Sequence, residues 1–189
     1  MSLKQLARVI ANCPEKNLKE CVDDIKHPVG NYLETLKNIM PTGLYALQGT
    51  DYNKKVDYDG RLNVRHDDRS IQLDSKFKFP HNIPEDSLIA ESTRSGEIRA
   101  DSTNRLFYNS STKRRGVMAW SAAKNMKCVS MDKNSVTLAG YGSSTSTEKY
   151  HCGTNIKKVF TKTGDDSFSI ETHLDGKKAY HCDYKQRSD

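Results

Sequence analysis

The stretch Lys158–Lys185, KVFTKTGDDSFSIETHLDGKKAYHCDYK, decides the fold. Phe168, Ile170, Thr172 and Leu174 alternate with Ser169, Glu171 and His173; after Asp175-Gly176 the alternation resumes through Lys178, Tyr180, Cys182 and Tyr184. A period of two over this length marks strands with one buried face. A two-residue loop at Asp175-Gly176 would pair Leu174 with Lys177 and set Ile170 against His181, mixing the faces. A three-residue loop, Leu174-Asp175-Gly176 with Gly176 left-handed, pairs Thr172 with Lys178, Ile170 with Tyr180 and Phe168 with Cys182. That keeps one face apolar, so the pattern predicts the three-residue loop. Thr163-Gly164-Asp165 is read the same way and sets Phe160 opposite Phe168.

Upstream, the period is two from Thr42 onward. Leu44–Thr50 reads as a first strand; Val56 and Tyr58, then Leu62 and Val64, flank Asp59-Gly60 as a hairpin, with Lys55, Asp57, Asn63 and Arg65 outward. Asp67-Asp68 turns the chain into Ile71, Leu73, Ser75, Phe77 and Phe79, with Lys76 and Lys78 facing water. Pro80 and Pro84 end that strand. Shorter strands are expected over 87–93, 97–101, 104–109, Val117–Ser121, Lys127–Met131 and Val136–Tyr141, with Gly142–Thr147 as a loop or flexible edge and Tyr150–Thr161 leading into the stretch above. The total is roughly nine to eleven strands in sequential hairpins, without strand-helix-strand alternation. A sheet with one apolar face must close or fold over. The expected fold is therefore mainly β, an antiparallel up-and-down meander closed as a lipocalin-like barrel over 42–189, with a sandwich as the second choice.

Residues 1–41 read differently. Leu3, Leu6, Ala7 and Ile10, then Leu18, Cys21, Val22 and Ile25, then Val29, Tyr32, Leu33, Leu36 and Met40 form helical stripes broken at Pro14, Pro28 and Pro41. Short helices need something to pack on. The segment is expected to cover one end of the barrel and limit access to its interior.

Composition narrows the class of partner. The chain has 189 residues, enough for one domain with a real core, and no apolar run near the ~20 residues of a membrane span. Its net charge is +6, but basic residues are interleaved with acidic ones outside Lys113-Arg114-Arg115, which speaks against a nucleic-acid partner and leaves a protein partner open. The five cysteines form no C-x-x-C pair. Turn-rich β structure and these cysteines lean towards an exported protein whose leader has been removed ahead of Met1-Ser2-Leu3; in that case Cys13 and Cys21 are expected to form a disulfide.

No catalytic residue and no cofactor motif stands out. Tyr150-His151-Cys152 recurs as Tyr180-His181-Cys182, but neighbours on a strand point to opposite faces and the register separates the pairs, so no metal site and no Cys152–Cys182 disulfide is expected. Asp57-Tyr58-Asp59-Gly60 lacks acids at Lys55 and His66 for a calcium loop. His66, Asp67 and Asp68 read as a solvated turn with no nucleophile beside them. Asn109-Ser110-Ser111 is a glycosylation sequon in a secreted eukaryotic protein.

Gly43-Leu44-Tyr45 opens the first strand after a helical lead-in, and so resembles the lipocalin Gly-x-Trp with Tyr45 in place of tryptophan. With the meander over 42–185, the chain is similar to the calycin superfamily, the lipocalin-like barrels. The resemblance implies carriage of a small, partly apolar ligand without catalysis. Tyr45, Tyr58, His66, Phe77, Trp120, Phe168 and Tyr180 are the candidate ligand-binding residues. An interaction module using the helical arm or a sheet edge, and a pocket enzyme or lyase, are the alternatives. A filled core with an exposed apolar patch would favour the first alternative, and a pocket carboxylate or histidine with a strongly perturbed pKa the second.

Overall fold

A computed structural model describes residues 30–53, 55–78, 91–100, 106–114, 117–145 and 150–188, in places along the strands by their backbone alone. One helix, α1 (Gly30–Ile39), precedes ten strands: β1 (Gly43–Asp51), β2 (Val56–Asp67), β3 (Ser70–Lys78), β4 (Glu91–Ala100), β5 (Leu106–Arg114), β6 (Val117–Met131), β7 (Ser135–Thr145), β8 (Tyr150–Gly164), β9 (Ser167–Leu174) and β10 (Lys177–Gln186). Each strand pairs antiparallel with the next, and β10 returns to β1, closing the barrel. The expected meander and its closure are both present. No helix among the described residues is long and apolar enough to cross a membrane.

Closure follows from alternation. On β1 every second residue is buried, Tyr45, Leu47, Gly49 and Asp51, while Leu44, Ala46 and Gln48 face water. Across the seam Leu47 pairs with Tyr184 and Gly49 with Cys182. Phe168 of β9 stacks on Tyr184 of β10 at 4.7 Å and meets Tyr45 of β1 edge-on at 4.9 Å, so three aromatic rings span the closing strands.

Four expectations about register and boundaries are corrected. Asp175-Gly176 is a two-residue turn with Leu174 opposite Lys177; φ is 49° at Asp175 and 78° at Gly176, the left-handed pair a type I′ turn needs. The face-mixing that argued against this turn is cured by a bulge between Lys178 and Tyr180, after which Thr172 faces Tyr180, Ile170 faces Cys182 and Phe168 faces Tyr184. The bulge residue Ala179 is buried, and its carbonyl accepts from Tyr52 N at 3.0 Å, which ties in the β1–β2 turn. Similarly, the β8–β9 turn is Asp165-Asp166, with a shift between Lys162 and Gly164 that sets Phe160 opposite Ile170.

Asp59-Gly60 is not a hairpin. β2 runs straight through it, with Gly60 between Leu47 and Phe77. A Cβ there would run into the Lys76 carbonyl and lie 2.6 Å from Phe77 Cα, so this glycine serves close strand approach, not a turn. Finally, the described parts of the segments read as 87–93 and 97–101, residues 91–93 and 97–100, join in β4, 106–109 of the next extends to Arg114 as β5, Val117–Ser121 and Lys127–Met131 are one strand, β6, and residues 142–145 of the expected loop belong to β7.

The third helical stripe forms as expected. Tyr32, Leu33, Leu36, Ile39 and Met40 are buried and share one core with Tyr45, Val64, Ile71, Val136, Leu138, Phe160 and Phe168. The helix lies nearest β7 and β8 at the end of the barrel carrying the β2–β3 turn. His66 Nε2 meets the Met40 carbonyl at 2.7 Å, and Tyr45 Oη donates to Pro41 O at 2.7 Å, so the helix exit is held by side chains of β2 and β1. The stripes before residue 29, the Cys13–Cys21 pair and Phe79 lie outside the described residues.

Phe168→Ala should lower unfolding free energy by ~3–5 kcal/mol, against less than about 0.5 kcal/mol for exposed Lys177→Ala. Equal denaturation midpoints would contradict the packing. Gly60→Ala should destabilise by about 1–3 kcal/mol, because backbone must move to admit the methyl group; a neutral effect would contradict the close approach of β2 and β3.

Candidate functional site

The barrel interior divides into two halves. Towards α1, Tyr45, Val64, Ile71, Val136, Phe160 and Phe168 are almost completely buried. Away from α1, a cavity of about 50 Å³ remains, lined by Leu47, Tyr58, Leu62, Leu73, Ser75, Phe77, Gly96, Lys158, Ile170, Thr172, Tyr180, Cys182 and Tyr184. This is far below the ~300–1,000 Å³ of a drug-sized pocket and suits a few water molecules or a small organic group.

Lys158 is the charged member of that described lining. Its residue is 8% exposed, on β8 between buried Ile156 and Phe160, while Lys157 points to solvent. Its Nζ donates to Thr172 Oγ1 across the β8–β9 pair at 3.0 Å. Tyr58 Oη and Cys182 Sγ lie 3.0 Å apart. Tyr58 is also tilted against Phe77 at 5.1 Å, and a Cβ at Gly49 would strike its ring. The cavity therefore has aromatic and aliphatic walls with a polar strip of lysine, hydroxyls and thiol.

The candidate residues fall into distinct places. Tyr58, Phe77 and Tyr180 line the cavity. Tyr45 and Phe168 sit in the packed half; burial, then the charge of Asp166, raises the Tyr45 hydroxyl above its ordinary pKa. His66 faces the helix exit. Trp120 lies on β6, its backbone between Ser111 and Thr145; its side chain is outside the description. Lys158, Thr172 and Cys182 were not among the sequence candidates. Their signal was parity: Lys158 shares it with Phe160, and Thr172 with Phe168 and Ile170.

A second polar group lies on the outer surface of the same wall. Glu171 Oε1 meets His173 Nε2 at 2.8 Å, Glu171 Oε2 meets His181 Nδ1 at 3.1 Å, and His181 Nε2 meets Asp183 Oδ1 at 3.1 Å. Both contacts of His181 are hydrogen bonds only when both ring nitrogens carry protons. Lys178 Nζ is 3.7 Å from Glu171 and 4.8 Å from the Tyr52 ring centre. Burial alone would raise the Glu171 carboxyl, but His181, His173 and Lys178 hold it below its ordinary range. Among the described residues no group of three or more His, Cys, Asp or Glu converges on a metal position. Cys128 and Cys182 are reduced and buried; burial raises the Cys128 thiol despite its bond to Ser130 O, as in an inert packing cysteine. The backbone of Cys152 pairs with Ser143 on β7, and β9 separates its strand from that of Cys182.

No known family model and no curated protein sequence matches the chain. Solved structures with some likeness include a redesigned β-barrel, mFAP0, bound to DFHBI (8% identity, 77% of this chain and 97% of that one, TM-score 0.41). A de novo designed fluorescence-activating β-barrel is similar at 8% identity over 80% and 97% of the two chains, TM-score 0.41. Alignments this loose carry no argument about what this chain binds.

The depressed Glu171 carboxyl has a testable consequence. A folded pKa below the unfolded value gives stability that is present above ~pH 4.3 and lost as pH falls through the folded value. Glu171→Gln should therefore flatten the acid limb of stability against pH, measured by denaturant unfolding. An unchanged acid limb would mean that the carboxyl titrates alike folded and unfolded.

Proposed function

We propose that the barrel binds a small, partly apolar ligand in the cavity away from α1, without catalysis. One observation carries this reading. The core does not fill the barrel to both ends; it leaves a cavity where aromatic walls meet a buried, hydrogen-bonded lysine. Interiors are ordinarily close-packed, and a few polar groups set in apolar walls are the usual composition of a ligand site. The cavity volume limits the ligand, or the part of it held inside, to a few heavy atoms.

The calycin-like reading belongs to this proposal. In its favour are the helical lead-in, Gly43-Leu44-Tyr45 opening β1 and the closed meander. Against an ordinary lipocalin are ten strands in place of eight, and Tyr45 where that family has tryptophan. The interaction-module alternative has less support: the large apolar side chains exposed among the described residues, Leu44 and Tyr52, lie at opposite ends of β1 and form no patch. The enzyme alternative would be favoured by a pocket carboxylate or histidine with a strongly perturbed pKa, and the described lining contains neither residue type.

Titrating the protein with a panel of small organic molecules, followed by backbone amide NMR, tests the reading. Saturable shifts should cluster at Tyr58, Lys158, Thr172 and Cys182, and Ile170→Phe, which fills the cavity, should abolish them while leaving the fold intact. Shifts confined to the outer surface, or unchanged in Ile170→Phe, would refute interior binding.

A further inference from the structure

Resting on the interior-binding reading, we infer that the part of the ligand held inside the barrel is an uncharged apolar group chosen by size, and that Gly49 fixes this size by letting the Tyr58 ring lie flat along the wall. The two polar pairs at the cavity are made within the protein. Lys158 Nζ donates to Thr172 Oγ1 at 3.0 Å, and Tyr58 Oη lies 3.0 Å from Cys182 Sγ. Neither the lysine nor the phenol is left for a ligand to complete. A polar or charged occupant would give up its bonds to water and then compete with these pairs, which costs more than it returns. The rest of the wall is apolar surface from Leu47, Leu62, Leu73, Phe77, Ile170 and the face of the Tyr58 ring. Such a surface rewards an apolar group that fits.

The fit depends on one missing Cβ. Gly49 of β1 stands opposite Tyr58 of β2 on one side and Cys182 of β10 on the other. The Tyr58 hydroxyl therefore reaches Cys182 by passing over Gly49. A Cβ there would run into Cε2 and Cζ of the ring and lie 2.7 Å from its hydroxyl oxygen. Gly49 is not among the described glycines with positive φ, so what it supplies is room and not an unusual backbone. Phe77 tilts against the ring at 5.1 Å. With the ring flat, about 50 Å³ stays open, a third of the ~150 Å³ of an apolar cavity that takes benzene. A methyl group on Gly49 lifts the ring off β1 and into that space.

The experiment adds cyclopropane, benzene, acetate and methylammonium, each separately, to the full chain at pH 7 and follows the methyl groups of Leu47, Leu62, Leu73 and Ile170 by NMR. In wild type, cyclopropane should shift these methyls saturably and bind at least about 10-fold more tightly than either ion, because each ion must leave water. Benzene should not bind. Gly49→Ala should weaken cyclopropane about 10-fold or more, the double variant Gly49→Ala/Tyr58→Ala should recover it, and Tyr58→Ala alone should admit benzene, because removing a large side chain leaves a cavity. Acetate or methylammonium binding as tightly as cyclopropane, or no cyclopropane binding where a member of the panel used above does bind, would overturn apolar selection while leaving interior binding intact. Undiminished binding of cyclopropane by Gly49→Ala would overturn the role of Gly49. If Gly49→Ala does not fold, Tyr58→Ala decides: exclusion of benzene from it would show that the ring does not set the size. Methyls that respond to no probe here and amides that respond to none of that panel would sink both readings.

Discussion

The structure depends on the pairing of β10 with β1. Ten strands with one apolar face each can bury that face only by enclosing it, and an open meander would also leave two edges of unpaired backbone. The seam satisfies both needs at once. Its backbone pairs run from Tyr45–Gln186 to Asp51–Tyr180, and Tyr45, Phe168 and Tyr184 lock it from inside. α1 can bury Leu36 and Met40 because the closed ring presents a continuous apolar floor at that end.

Closure with large residues at one end sets the character of the other. Phe160, Phe168, Leu138 and Val136 are buried in one core with Leu36, Ile39 and Met40 of the helix end. Farther along, Ser75, Gly96, Thr172 and Cys182 take inward positions, and smaller or polar side chains leave the cavity. A buried lysine there costs stability that the densely packed half can offset.

The wall between the two polar groups is shared. Ile170, Thr172, Tyr180 and Cys182 face inward on β9 and β10, and Glu171, His173 and His181 alternate with them outside. The Glu171–His181 contact therefore bridges the two strands directly behind the cavity, close to the bulge at Ala179 that interrupts their pairing. Cross-strand ties of this sort restore rigidity where the ladder is broken.

Alternation along the chain was enough to identify the meander, inward residues such as Tyr45, Leu47, Leu62, Val64, Ile71 and Phe168, the stripe of α1 and the need for closure. These are local properties, because a side chain's face on a strand follows from its position parity alone. What only the tertiary structure decided depends on partners distant in sequence. Asp59-Gly60 has turn residues but stays extended, because Lys76 and Phe77 pass too close for a Cβ. Asp175-Gly176 forms the tight turn its residues favour, and a bulge two residues later restores the faces; simple counting, which has no extra residue to spend, chose the longer loop. Tyr45 and Phe168 are indistinguishable from Tyr58 and Phe77 by parity, yet the first pair packs beneath the helix and the second lines the cavity. Parity assigns a side chain to the interior, but its height in the barrel, and whether it meets a helix or a void there, depends on strand stagger around the closed ring.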